Sequence, residues 1–169
     1  MKQLILFRHG KAVRDHEAPD DRSRGLTERG ERDVLRTATW LKDWGVTLDK
    51  ALVSDAVRTR ETWTIAAPVL DDAPAIFLSS LYLAGPERVL KEVDRLAELP
   101  CGMIVGHNPG LHELAMWLLD IGGADDHSAA QQLRNGMPTS GAALFVAAED
   151  SPPQPGAFKL AAFVNPSRL

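Results

Sequence analysis

A chain of 169 residues with 44% hydrophobic and 25% charged side chains has ordinary globular composition and enough length for one sizeable core. Its net charge of -4, without a basic run or an aromatic stripe, argues against a nucleic-acid or anionic-membrane surface. The opening apolar segment is too short for a signal peptide or membrane span, no later window is long enough, and a lone Cys101 fits a reducing compartment. A single cytoplasmic domain over residues 1–169 is expected.

The chain opens on Leu4-Ile5-Leu6-Phe7, an apolar run that reads as a strand buried on both faces. Arg8-His9-Gly10 ends it, because a charged pair cannot continue inward without a large desolvation cost. A polar loop without periodicity follows over residues 11–25. Thr27 then caps a helix over 28–44, with Val34, Ala38 and Leu41 on its apolar face and Leu35 beside them. Gly45 suits its C-terminus.

A second strand over 51–53 ends at Ser54, which can cap the next helix, with Asp55 just inside and Trp63, Ala66, Ala67 and Leu70 turned inward. Residues 75–78 read as a third strand. Pro86 fits the first position of a third helix with a Val89, Val93, Leu96 stripe, closed by Pro100. Residues 103–105 form a fourth strand ending in Gly106-His107-Asn108. Asn108 can cap a fourth helix starting at Pro109, with Leu111, Leu114, Ala115 and Leu118 inward and Gly122-Gly123 as its stop. Residues 124–140 are polar and irregular, with room for a helical turn. Two closing strands over 142–148 and 158–164 flank a Pro-rich connection at 151–156, close enough to pair as a hairpin. Alternating strands and helices predict an α/β three-layer sandwich: a largely parallel central sheet, with helices on both faces.

Three strand ends carry chemistry: Arg8-His9-Gly10, Ser54-Asp55 with Arg58 and Arg60 just beyond, and Gly106-His107-Asn108-Pro109. Ligands of open α/β sheets bind at the carboxyl ends of the strands, where these side chains can converge. Two histidines, arginine forks and helix N-termini suit a phosphoryl group, so phosphate or sulfate is the expected occupant. Arg60, two positions along a helix from Arg58, should face away. His107 and His112 lack the i, i+4 spacing of a helical zinc pair, and Cys101 reads as a small residue starting a buried strand. The four tryptophans read as core or helix-edge anchors.

The Arg8-His9-Gly10 tripeptide resembles the signature of the histidine phosphatase (phosphoglycerate-mutase-like) superfamily. Ser54 to Thr62 resembles its second block, with Arg58 matching the phosphate-binding arginine, and Gly106-His107-Asn108-Pro109-Gly110 its second-histidine block. Asp21, Arg24, Leu26, Thr27 and Gly30 resemble the spacing of the small SixA-type phosphohistidine phosphatase branch. The resemblance implies His9 as nucleophile, Arg8 and Arg58 as a phosphoryl clamp, and a cationic His107 as a further donor, with no metal or cofactor. Asn108 and Arg24 complete the candidate phosphate-binding set, with a solvated loop charge as the alternative for Arg24. A nearby backbone carbonyl should hold the His9 tautomer.

Longer relatives place a glutamate acid after the third strand, whereas residues 79–86 contain no carboxylate and Glu87 comes first. The expected activity is therefore hydrolysis of phosphohistidine on a partner protein. The rivals are a phosphatase of a small phosphate ester or phosphoanhydride, and a phosphoprotein-binding module without turnover.

Overall fold

In the computed structural model, which describes residues 1–147 and 157–169, the opening apolar run is β1 (Gln3–Arg8). Successive strand residues point to opposite faces. Leu4 and Leu6 thus enter one core, Ile5 and Phe7 the other, and all four are buried. The chain continues through α1 (Glu28–Asp43), β2 (Lys50–Ser54), α2 (Val57–Ala66), β3 (Ala75–Leu78), α3 (Pro86–Val93) and β4 (Cys101–Gly106). It closes with α4 (Gly110–Gly122), α5 (His127–Arg134), β5 (Ala142–Ala147) and β6 (Phe158–Val164).

The six strands form one sheet in the order β3-β2-β4-β1-β5-β6. β1, β2, β3 and β4 are mutually parallel, whereas β5 pairs antiparallel with both β1 and β6. The expected closing hairpin therefore makes the sheet mixed. Val34, Ala38 and Leu41 of α1 and Trp63 and Ala66 of α2 pack on the face of Ile5, Phe7, Val53 and Val105. Val89 and Val93 of α3, Leu111, Leu114 and Leu118 of α4 and Leu133 of α5 pack on the face of Leu4, Leu6, Leu52 and Ile104. Helices on both faces of a mostly parallel sheet give the expected three layers. No helix among the described residues is long and apolar enough to cross a membrane.

Several local expectations are corrected. α2 ends at Ala66, and residues 67–70 continue as a 3₁₀ turn, because Pro68 lacks the N–H that an α-helix needs there. Leu96 likewise lies in a 3₁₀ turn after α3. Leu35 is half exposed, just off the buried stripe of α1. Residues 124–140 hold the two-turn helix α5, capped by the Asp126 side chain on Ser128 N–H. Trp63 is buried, but Trp44 and Trp117 are substantially exposed, so only part of the tryptophan set anchors the core. Ala148 and the Pro-rich connection at 151–156 lie outside the described residues.

One close approach ties the fold to the chemistry at its edge. Gly110 opens α4 directly against the connection after β3, where an added Cβ would stand 1.9 Å from the Ala84 carbonyl oxygen. Backbone, not a flexible side chain, would have to give way. We expect Gly110→Ala to cost about 1–3 kcal/mol, the usual range for overpacking, and to lower Tm by several degrees. Gly85→Ala, whose nearest neighbour would be a glutamate oxygen at 3.6 Å, should leave Tm nearly unchanged. Calorimetry on both variants checks the contrast, and equal melting points would contradict it.

Candidate active site

β4 runs between β2 and β1, so the carboxyl ends of all three meet. Arg8 pairs in register with Gly106, and the His9 N–H donates to the Gly106 carbonyl at 3.1 Å. This pairing holds the first residues beyond the two strands together. The His9 and His107 ring centroids lie 5.1 Å apart, with Ser54 of β2 and Arg58 of α2 beside His107.

His9 is 91% removed from solvent. Its Nδ1 lies 2.7 Å from the Gly10 carbonyl oxygen. A carbonyl only accepts, so Nδ1 carries the hydrogen and Nε2 keeps its lone pair. This is the carbonyl contact the sequence led us to expect. Burial, reinforced by the charges of Arg58, Arg8 and Arg24, lowers the ring's pKa to about 3. The Gly10 N–H donates to the Thr62 hydroxyl at 3.0 Å, which in turn donates to the Arg58 carbonyl, fixing the His9 turn on α2.

His107 is oriented through both nitrogens. Arg58 reaches Nδ1 at 3.3 Å, and a guanidinium only donates, so Nδ1 is an acceptor and Nε2 carries the hydrogen. That hydrogen is given to the Ser54 hydroxyl at 2.7 Å. Ser54 therefore does not cap α2, whose first flanking residue is Ala56 with no side-chain cap. The hydroxyl is committed to a ring 53 positions away. Asp55 likewise lies ahead of α2, paired with Arg22 at 2.9 Å. Burial first, then the neighbouring His9 and Arg58, lowers the His107 pKa to about 3. The ring is thus neutral here, and the cationic form would require an anion beside it.

Arg58 is almost wholly buried and is held by Asp21 of the loop before α1. Its NH1 donates to the Asp21 carbonyl oxygen at 2.6 Å and its NH2 to Oδ2 at 3.1 Å. Tyr82 donates its hydroxyl to the same Oδ2 at 2.6 Å and presents its ring edge-on to His107. Hydrogen bonds from Tyr82, Arg24 and Arg58 hold the Asp21 carboxyl well below the usual carboxylate range. The same bond to Asp21 raises the Tyr82 pKa, so its proton is held firmly. Arg22 stacks over the Tyr82 ring at 4.4 Å.

Arg8 points its NH1 at the Met137 carbonyl, 2.7 Å away, while its buried Nε has no acceptor among the described residues. Asn108 donates from Nδ2 to that same carbonyl at 2.9 Å. It therefore does not cap α4, which begins at Gly110 after an uncapped Pro109. Arg24 spends its NH1 on Asp21 at 2.9 Å and Asp15 at 2.7 Å, and its Nε on the Val13 carbonyl. It borders the cluster through Asp21. Arg60 turns away, stacked over Phe77. Cys101 is buried and its thiol pKa is pushed up to about 12, leaving it protonated. Reading the sequence missed the anchoring by Asp21, the part of Tyr82 and the Met137 carbonyl. The available signals were Asp21, already present in the SixA-type spacing but given no role, and Tyr82, the sole tyrosine of the chain, in the connection after β3.

Two buried neutral imidazoles, one of them with an unspent lone pair on His9 Nε2, beside the guanidinium of Arg8 and that of Arg58 held by Asp21, make a setting suited to a tetrahedral oxyanion. Residues 4–81 match the family model described as histidine phosphatase superfamily (branch 1). An uncharacterized protein of Mycobacterium tuberculosis is 33% identical across 95% of this chain and 99% of its own, and one of Mycobacterium leprae is 33% identical across 82% and 85%. Among solved structures, a protein of Agrobacterium tumefaciens assigned as phosphohistidine phosphatase SixA superposes with a TM-score of 0.80, at 26% identity and 97% coverage of both chains. The protein histidine phosphatase SixA complexed with tungstate shares the fold at a TM-score of 0.75, with 22% identity and 98% of each chain covered. A Plasmodium falciparum phosphoglycerate mutase shares it at 0.62.

Both lowered histidine pKa values make a prediction. In an unfolded chain each ring would titrate near ~6.5. The unfolded state then binds more protons between that value and about 3, so stability should fall as pH drops through this window. In ¹⁵N NMR of the free protein, neither ring should titrate between pH 5 and 8, with hydrogen on Nδ1 of His9 and on Nε2 of His107. A site ring titrating near ~6.5 would contradict the burial argument.

Proposed function

Since the chain belongs to the histidine phosphatase superfamily, we propose that it is a cytoplasmic phosphatase that hydrolyses phosphohistidine on a partner protein through a phosphoryl group carried on His9, with no metal. The observation that carries this reading is the His9 tautomer: Nε2 holds a lone pair, and the lowered pKa keeps it free at neutral pH. Arg8 and Arg58 supply the positive charge that a divalent cation would otherwise bring to the phosphoryl oxygens.

In the proposed cycle the His9 Nε2 attacks phosphorus in line with the departing imidazole. The new N–P bond forms as the substrate's N–P bond breaks, and the substrate ring, whose other nitrogen has already taken a proton from solvent, takes the bonding pair and leaves as neutral imidazole. Water then attacks phosphorus, the His9–P bond breaks and inorganic phosphate departs. An incoming dianion draws the Arg58 NH2 off His107 Nδ1 and raises the ring's pKa, so Nδ1 takes up a proton from solvent and donates to a phosphoryl oxygen. Ser54 holds the opposite edge of that ring. The substrate class follows from the connection after β3. It offers Tyr82, whose proton is held by Asp21, and no carboxylic acid. An alkoxide leaving group needs a positioned acid, a contribution of typically ~10²–10⁴-fold, whereas a protonated imidazole does not.

We expect His9→Ala to abolish turnover, assayed in chelator, and Arg58→Ala or His107→Ala to lower kcat/KM by ~10² or more. Rapid quench of the wild type should trap an acid-labile, base-stable phosphoryl group on His9. An acid-stable adduct, or one on Ser54, would assign the wrong nucleophile.

For the substrate, kcat/KM on a phosphohistidine protein should exceed that on alkyl phosphates, with activated aryl phosphates between. A sugar phosphate or phosphoglycerate that proves the better substrate would favour the small-ester reading. Binding of a phosphoprotein without any hydrolysis would favour the binding-module reading.

A further inference from the structure

A cleft of about 410 Å³ adjoins the candidate active site, lined by Asn108, His112, Gln132, Asn135, Asn165 and Arg168 together with the 136–138 turn. It is separated from the phosphoryl clamp by one backbone oxygen, since the Met137 carbonyl accepts from Arg8 on one side and from Asn108 on the other. Nothing in the proposed chemistry of His9 uses it.

Its lining is unusual in three ways. Four of the residues are carboxamides: among the described residues Asn135 keeps both its donor and its acceptor unspent, Asn108 and Gln132 keep their oxygens, and Asn165 keeps its amide N–H groups. Arg168 is the one residue with a permanent charge, and its guanidinium has no ion-pair partner among the described residues. Among the described residues no carboxylate lines the cleft, although the chain carries a net charge of -4. His112 gives its Nε2 hydrogen to the Leu133 carbonyl, which leaves Nδ1 as one more acceptor.

Carboxamides pair in a planar, two-point manner with a peptide group, which also has one donor and one acceptor. A nucleobase could use the same pairing but would seek an aromatic face for stacking, and among the described residues no Phe, Tyr or Trp lines the cleft. A bare anion would use the single arginine and waste the amides. We infer that this cleft binds the polypeptide flanking the target histidine of the substrate protein, with Arg168 selecting an acidic side chain. The inference rests on the phosphohistidine reading, because only a substrate on a polypeptide extends beyond the clamp into the cleft.

The test compares wild type with Arg168→Glu and Gln132→Ala, two changes away from the proposed catalytic groups. Three substrates are used: a short phosphohistidine peptide with aspartates on both sides, the same peptide with asparagines, and an aryl phosphate. Arg168→Glu should lower kcat/KM on the aspartate peptide tenfold or more, chiefly through KM, and leave the aryl phosphate unchanged. Gln132→Ala should weaken both peptides by a few-fold and spare the aryl phosphate. Equal losses on all three substrates, or none on the peptides, would overturn the cleft assignment.

A separate arm measures fluorescence polarisation of the aspartate peptide with its histidine unmodified. Saturable binding to wild type, lost in Arg168→Glu, supports the cleft whatever the chemistry. Its absence at millimolar protein counts against it. If wild type hydrolyses no phosphohistidine peptide faster than the aryl ester, the functional reading fails. The polarisation result then decides the cleft by itself.

Discussion

Concentrating positive charge in a buried place is the constraint on which this molecule turns. Arg8 and Arg58 meet two imidazoles at the edge of one sheet, and Arg58 is almost wholly removed from water. Such a cluster is costly unless its charges are hydrogen-bonded or paired. One carboxylate answers it. Asp21 receives Arg58, Arg24 and Tyr82, and its backbone carbonyl receives Arg58 again. Asp21 and the exposed Asp15, set against Arg8, Arg24 and Arg58, leave an excess of positive charge, and the Nε of Arg8 still lacks an acceptor among the described residues. Burial, with these arginine charges added to it, makes protonated imidazole unfavourable, so the same setting keeps the His9 Nε2 lone pair free.

The sheet makes this precision inexpensive. β1, β4 and β2 are neighbours with parallel register, so residues just beyond their ends need no long side-chain reach to meet. Each functional ring is then pinned by a contact of short sequence range or by a neighbouring strand: His9 by Gly10, His107 by Ser54. Positions built on rigid elements hold geometry better than positions built on loops. The loop residues, Asp21 and Tyr82, serve instead as the outer tie that keeps Arg58 from swinging outward.

This division explains what the sequence discloses and what it conceals. Apolar runs ending in Arg8-His9, Ser54-Asp55 and Gly106-His107 were legible because strand burial and motif sit side by side in the chain. The mixed sheet was legible from the short span between its last two strands. Ser54 and Asn108 were misread because local rules favour both as helix caps, and each spends its side chain on a partner that only the fold brings near, His107 and the Met137 carbonyl. Nothing local marks Asp21 as the anchor of an arginine 37 positions later, or Tyr82 as a donor to a residue 61 positions earlier. The helix over His127–Arg134 was hidden by its polar composition, since a short helix with few apolar residues has a weak periodic signal.

The connection after β3 is where chemistry and architecture constrain each other most closely. Gly110 brings α4 against the Ala84 carbonyl, which fixes how the residues before it lie across the pocket. Ser80 adds a second tether, donating to the buried Glu92 that Arg95 also holds. So braced, the connection delivers Tyr82 to Asp21. A carboxylic acid in its place would stand beside Asp21, and two carboxyl groups at hydrogen-bond distance cannot both ionise without a large penalty. One would stay protonated and become a proton donor, or Asp21 would loosen its hold on Arg58. A tyrosine avoids both outcomes: it donates to the carboxylate, stays neutral and adds an aromatic edge against His107. The tie on Arg58 and the absence of a strong acid are thus two results of one choice of residue.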